Sequence, residues 1–131
     1  MLKVCFFYFQ LYKSFNTKNK IMKSRIEQLQ EFLEEDGNDS FLKYALALEY
    51  VRIDEKDAAK DCFLQLVAED ENYLASYYQL GKLYESLDAL EKAVDIYKKG
   101  IKIAQKSANK KTLLELQEAC NHLLKIDEDE Y

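Results

Sequence analysis

Proline is absent from this sequence, and glycine occurs three times in 131 residues. So few helix breakers point to long helices joined by short connections, an all-α fold. Histidine is nearly missing as well, with His122 alone. The three cysteines, Cys5, Cys62 and Cys120, lie 57 and 58 residues apart, spacings that match no zinc or redox motif. They read as buried, reduced thiols, and no metal site is expected. Cys120 and His122 stand two apart on an expected helix, so they point to different faces.

Positive charge is outnumbered, with 19 Lys and Arg against 24 Asp and Glu. The net charge is −5 and the pI about 5.0, which repels a phosphate backbone and argues against nucleic acid as a partner. A glycine-rich phosphate loop is lacking, as is any Ser-His-Asp or Cys-His arrangement in a sensible context. Neither an enzyme nor a bound cofactor is therefore expected. The apolar run from Val4 to Tyr12 falls well short of the about 20 residues that span a membrane, so no integral membrane segment is read. The acidic runs sit at helix ends and turns, where a solvated surface accounts for them.

What is present suits one folded domain: 48% hydrophobic residues supply a core and 33% charged residues a soluble surface. The first 21 residues differ in kind. They carry four lysines and no acid, whereas the remainder has 15 basic and 24 acidic residues, or −9. Met22 falls at this break. Residues 1–21 read as an N-terminal extension upstream of a start at Met22, or else as a segment that docks on the domain or on a membrane surface. Residues 22–125 form the helical domain, and 126–131 a short, disordered acidic tail.

Sliding the chain by 34 residues brings like onto like. Tyr44 meets Tyr78, Leu46 meets Leu80, Ala47 meets Gly81 and Tyr50 meets Tyr84. Farther on, Asp54 meets Asp88, Ala59 meets Ala93, and Phe63 meets Tyr97. The spacings of three and four are helical, and a period of this length marks a helical repeat. Two units follow, about 40–73 and 74–107. Each holds a first helix (Ser40–Arg52 and Tyr73–Ser86) and a second (Lys56–Glu69 and Ala89–Ala104) in an antiparallel pair. Asp39 or Ser40, Asn72 and Asp88 are the expected N-caps, Asp88 with Glu91 three residues on. Ala47 and Gly81, with Ala59 and Ala93, are small residues that let helix backbones approach. The larger neighbours fill the flanking space. A branched side chain at Gly81 should be costly, and alanine mild.

This pattern resembles the tetratricopeptide repeat of small bacterial proteins. Its signature stands here as Tyr77, Leu80, Gly81, Tyr84, Ala93 and Tyr97, and more weakly as Leu46, Ala47, Tyr50, Ala59 and Phe63. Lys43 replaces the first aromatic, and the terminal proline is replaced by Glu71 and Gln105. The resemblance implies a right-handed solenoid of antiparallel helix pairs, about six helices here. Flanking helices over 22–36 and 110–125 complete it. Ile26, Leu29, Phe32 and Leu33 share one face of the former, which looks like the second helix of a degenerate preceding unit. Leu113, Leu116, Cys120, Leu123 and Leu124 share one face of the latter, which closes the array.

The resemblance also implies a concave groove for a peptide. Besides its core stripe, the first helix carries a second apolar stripe, Phe41, Tyr44, Leu48 and Val51. Either this stripe lines the groove, or Phe32 and Leu33 of the preceding helix cover it. The corresponding face of the next unit holds Ala75, Tyr78, Lys82 and Glu85. Some relatives clamp a C-terminal carboxylate there, but Tyr44, Leu48 and Gln79 occupy the relevant places and do not support that specificity. The expected protein is a cytoplasmic adaptor that binds a protein or peptide through Phe41, Tyr44, Leu48, Val51, Tyr78 and Lys82. The alternative is a structural protein whose exposed stripe drives homo-oligomerisation.

Overall fold

The computed structural model describes Phe7 and residues 20–129, with side chains described for Phe7 and residues 24–125. Among the described residues there are six helices and no strands: α1 (Lys20–Glu35), α2 (Ser40–Arg52), α3 (Lys56–Glu69), α4 (Ala75–Ser86), α5 (Leu90–Lys106) and α6 (Lys110–Asp129). This is the all-α helical repeat architecture that the 34-residue period predicts. α1 starts at Lys20, so helix runs across the compositional break at Met22. The rest of the expected extension lies outside the described residues, apart from Phe7. At the other end α6 continues through Asp129, where a disordered tail was expected from residue 126.

The short connections explain where the helices stop. Asp39 caps α2, its Oδ1 accepting the Leu42 amide at 3.0 Å. After α2 the chain turns at Asp54, which takes φ 63°. There the amide of Asp54 donates to the Val51 carbonyl at 3.0 Å, and that of Glu55 to the Tyr50 carbonyl at 2.9 Å. After α4 the turn repeats at Asp88, φ 59°, with amide bonds to Glu85 at 3.0 Å and from Ala89 to Tyr84 at 2.9 Å. The left-handed residue closing the free carbonyls of a helix is a C-terminal device. Asp88 therefore ends α4 and does not cap α5, whose first turn has no side-chain cap. Aspartate serves both roles because its short side chain tolerates the left-handed region better than most. Asn72 likewise makes no side-chain cap for α4. Asn109 caps α6 instead, accepting the Thr112 amide at 3.2 Å.

The chain divides into two compact units, residues 1–66 and 67–131, with the boundary inside α3. In the first, α1 packs on α2. Its core holds Ile26 and Leu33 from α1, Leu46, Ala47 and Tyr50 from α2, and Ala59, Phe63 and Leu66 from α3, all buried. Phe32, expected in that core, is 53% exposed. In the second unit α5 packs against both α4 and α6. Leu116, Cys120 and Leu123 bury the inner face of α6, while Leu124 lies near its edge. Cys120 is a free, buried thiol whose pKa burial pushes up, an effect that Lys98 opposes. Cys62 departs from the expectation of reduced thiols: it is disulfide-bonded.

Gly81 shows why a glycine is kept in mid-helix at a cost of about 1 kcal/mol. A Cβ there would clash with the Tyr97 ring, 2.7 Å from Cδ1 and closer still to Cε1. The ring cannot retreat, because Tyr97 is fully buried and its hydroxyl donates to Glu85 Oε1 at 2.6 Å. Gly100 plays a matching part from α5, where a Cβ would lie 2.7 Å from the Cβ of Tyr77 and 3.1 Å from Leu116 Cδ1. The expectation that alanine at position 81 is mild thus gives way. Gly81→Ala should lower stability by about 1–3 kcal/mol in urea melts, the usual range for overpacking, and Gly81→Val by more. Tyr97→Phe unpins the ring, so in that background the cost of Gly81→Ala should shrink. An unchanged cost would mean that the hydroxyl does not fix the ring.

The same tyrosines predict alkaline sensitivity. Burial, then the Glu85 hydrogen bond and charge, pushes the Tyr97 pKa well above its ordinary value of 10.0. Burial, Glu71 and Asp70 raise that of Tyr77, whose hydroxyl donates to the Glu71 carbonyl at 2.9 Å. Above pH about 10 the unfolded chain gives up these protons and the native state retains them. Stability should therefore hold level below about pH 10 and fall as the pH rises beyond it. Urea melts between pH 8 and 11 read this directly, and Tyr97→Phe should flatten the decline.

Candidate protein-binding faces

The six residues expected to bind a partner fall into two sets, one in each unit. In the first unit, α2 offers Phe41, Tyr44, Leu48 and Val51 at spacings of three, four and three. Phe41 is 63% exposed and Val51 38%, while Tyr44 and Leu48 are half-buried. The Tyr44 ring meets Phe63 edge-on, with centroids 6.0 Å apart and planes at 60°. Tyr44 is thus partly a packing residue, and its removal would disturb the core as well as the surface. Phe41 and Val51 lie open at the two ends of the stripe. Phe32, at 53% exposed, and the exposed Phe41 show that the preceding helix does not cover the whole stripe.

Beside the stripe sits an ionic cluster that the sequence pattern did not single out. Glu49 is buried on α2, with its side chain 11% exposed. Its Oε1 accepts the Arg25 Nε from α1 at 2.7 Å, and its Oε2 accepts Arg52 Nε at 3.0 Å and a terminal Arg52 nitrogen at 2.8 Å. Both guanidinium groups remain more than half exposed. One carboxylate between two arginines is well satisfied, which is what a buried charge requires. A signal was available: 34 residues on, the same place is Leu83, a buried leucine. An acid at a core position of a repeat asks for cationic partners.

In the second unit, α4 carries Tyr78 and Lys82. Tyr78 is half-buried, its ring tilted at 43° to that of Tyr97 with centroids 6.4 Å apart. Lys82 Nζ lies 3.2 Å from Glu85 Oε2, and the other oxygen of Glu85 holds the Tyr97 hydroxyl. Lys82 was expected to meet an acidic partner residue. It instead already has a carboxylate from its own helix, and a ligand would have to compete with it. The two faces therefore differ: α2 is apolar and open, α4 polar and internally paired. Among the described residues, no three His, Cys, Asp or Glu side chains gather in a way that could hold a metal ion. Among them too, no helix is long and apolar enough to cross a membrane.

Comparison with known proteins agrees with this architecture. The family model described as tetratricopeptide repeat matches residues 74–107. A crystal structure of a tetratricopeptide repeat domain protein from Salinibacter ruber is 41% identical, covering 66% of this chain and 97% of that one, with a TM-score of 0.64. A solution structure of a Salinibacter ruber tetratricopeptide repeat domain protein is 40% identical over 71% of this chain and 94% of that one, with a TM-score of 0.67. A crystal structure of MamA shares the fold at 24% identity, covering 98% of this chain and 80% of that one, with a TM-score of 0.58. No curated protein matches the chain. The period, the helix pairs and the glycine under its tyrosine are those of a repeat family, and the chain belongs to the tetratricopeptide repeat proteins.

Proposed function

We propose that this protein is an adaptor that binds an apolar peptide segment of a partner protein on the exposed face of α2. Proteins of this family are generally interaction scaffolds and not enzymes, which sets the class. The observation that carries the specific reading is the exposure of Phe41 and Val51 at the ends of a continuous apolar stripe. A helix that needed one apolar face for its core presents a second one to solvent. Binding energy in such interfaces concentrates in a few large anchors. Phe41 is the first, since it has aromatic area to bury and little to lose from the free protein. Leu48 and Val51 extend the contact, and Tyr44 adds a hydroxyl at its margin. On α4, Tyr78 and Lys82 are secondary contacts, because the Lys82 charge is already met by Glu85.

The test is affinity capture from the source cell, followed by titration of the captured partner. Phe41→Ala should weaken binding by at least about 1 kcal/mol and leave the melting temperature unchanged. Lys98→Ala, an exposed change on α5, should alter neither. Wild-type binding by a folded Phe41→Ala protein would remove the α2 face as the site. Self-association is read in parallel by light scattering. A dimer that dissociates on Phe41→Ala would make this stripe an oligomerisation surface instead.

A further inference from the structure

The exposed side chains of α1 and α2 are sorted by chemistry along the two helices. On α2, Phe41 and Arg52 are eleven residues apart, about three turns, so they share one face. Half-buried Ala45 and Leu48 lie between them on that face, at spacings of four, three and four. On α1, Arg25 and Phe32 are seven residues apart, about two turns, and share a face as well. All four are exposed, and α1 packs on α2. At one end Glu49 accepts from both guanidinium groups, so the two arginines are neighbours in space. Phe32 and Phe41 stand at the other end, on either side of the short connection between the helices. The helix pair thus offers aromatic surface at one end and guanidinium groups at the other.

The arginines have donors to spare. A guanidinium carries five N–H groups in a fork that fits a carboxylate. Arg25 meets Glu49 through Nε, and Arg52 through Nε and one terminal nitrogen. Asp54, two residues beyond Arg52, pairs with Lys56 at 3.9 Å. The side chains of Arg25 and Arg52 are 61% and 51% exposed, which keeps their other N–H groups in water. A wholly apolar ligand that covered them would strip that water and put nothing in its place.

We propose that the segment bound on this face carries an aspartate or glutamate side chain that accepts hydrogen bonds from Arg25 and Arg52, while a large apolar residue of the same segment packs on Phe41. This rests on the α2 docking reading above and adds a polar requirement to it. The helix sets the spacing. A rise of about 1.5 Å per residue separates Phe41 from Arg52 by about 16 Å, which an extended peptide covers in about five residues.

The probe is a library of random peptides, joined to carrier sequence at both ends so that no terminal carboxylate is offered, and selected on the full chain. Selected peptides should share a large apolar residue and an acid about five positions from it. One of them, and its counterpart with the acid replaced by the amide, are then titrated against the wild type and Arg52→Gln. The wild type should favour the acidic peptide by at least about threefold, as a modest ion pair would, and Arg52→Gln should abolish that preference. The amide peptide should bind both proteins alike, which a merely structural effect of the substitution would not allow. Should Arg52→Gln fail to fold, Arg25→Gln carries the same comparison. Peptides that are lost on Phe41→Ala but have no placed acid would overturn this proposal and leave the α2 reading standing. A preference for the acid that survives in the arginine variants would overturn it too. Peptides indifferent to Phe41→Ala, or none at all, would overturn the α2 reading and this proposal with it.

Discussion

The second unit is organised around one contact, the Tyr97 ring lying where a side chain at position 81 would be. Removing a Cβ from α4 lets a tyrosine of α5 fill the space between the two helices. The hydroxyl must then find a partner, because an unsatisfied buried donor costs about 1–3 kcal/mol. Glu85, one turn beyond Gly81 on the same helix, supplies it. Glycine, tyrosine and glutamate thus form one device. The glycine makes the space, the ring fills it, and the carboxylate fixes the ring. Gly100 and Tyr77 repeat the arrangement with the helices exchanged.

That device also separates the two candidate faces. Glu85 shares the Tyr78–Lys82 face of α4, where it is engaged on one side by Tyr97 and on the other by Lys82. The first unit has Phe63 in place of Tyr97, so no hydroxyl needs a carboxylate, and Val51 occupies the position equivalent to Glu85. Replacing a hydroxyl by hydrogen in the core therefore goes with replacing a polar surface by an apolar one. This is why the open apolar stripe belongs to α2 and not to α4.

The period and the small residues made the fold legible. α2 and α3 have the limits read from the sequence, since Asp39 caps as expected and the spacing is regular. The end of α4 at Ser86 also falls where the sequence placed it, but its start falls at Ala75 and not Tyr73, and the role of Asp88 beyond it was harder to read. Asp88 followed by Glu91 has the form of a helix start, but backbone geometry made it a helix stop, and the choice between those roles is not written in the residue type. The stripe on α2 was visible as a second apolar periodicity. The pairing of Lys82 with Glu85 was legible in principle, as an i,i+3 pair on one face; the packing of Tyr44 on Phe63 was not, because it joins side chains of different helices. Glu49 was legible in principle, as an acid in register with a buried leucine. Its two arginines, one of them 24 residues away, required the structure.

The Arg25–Glu49–Arg52 cluster gives the α2 face a direction. Two cations share one buried anion, so the cluster itself carries one positive charge more than negative beside a stripe that begins at Phe41, on a chain that is acidic as a whole. If a peptide docks on this face as proposed, an acidic terminus would favour one polarity over its reverse, mainly through how fast correctly aligned encounters form. The cluster that ties α1 to α2 would then also serve to orient a peptide bound as proposed.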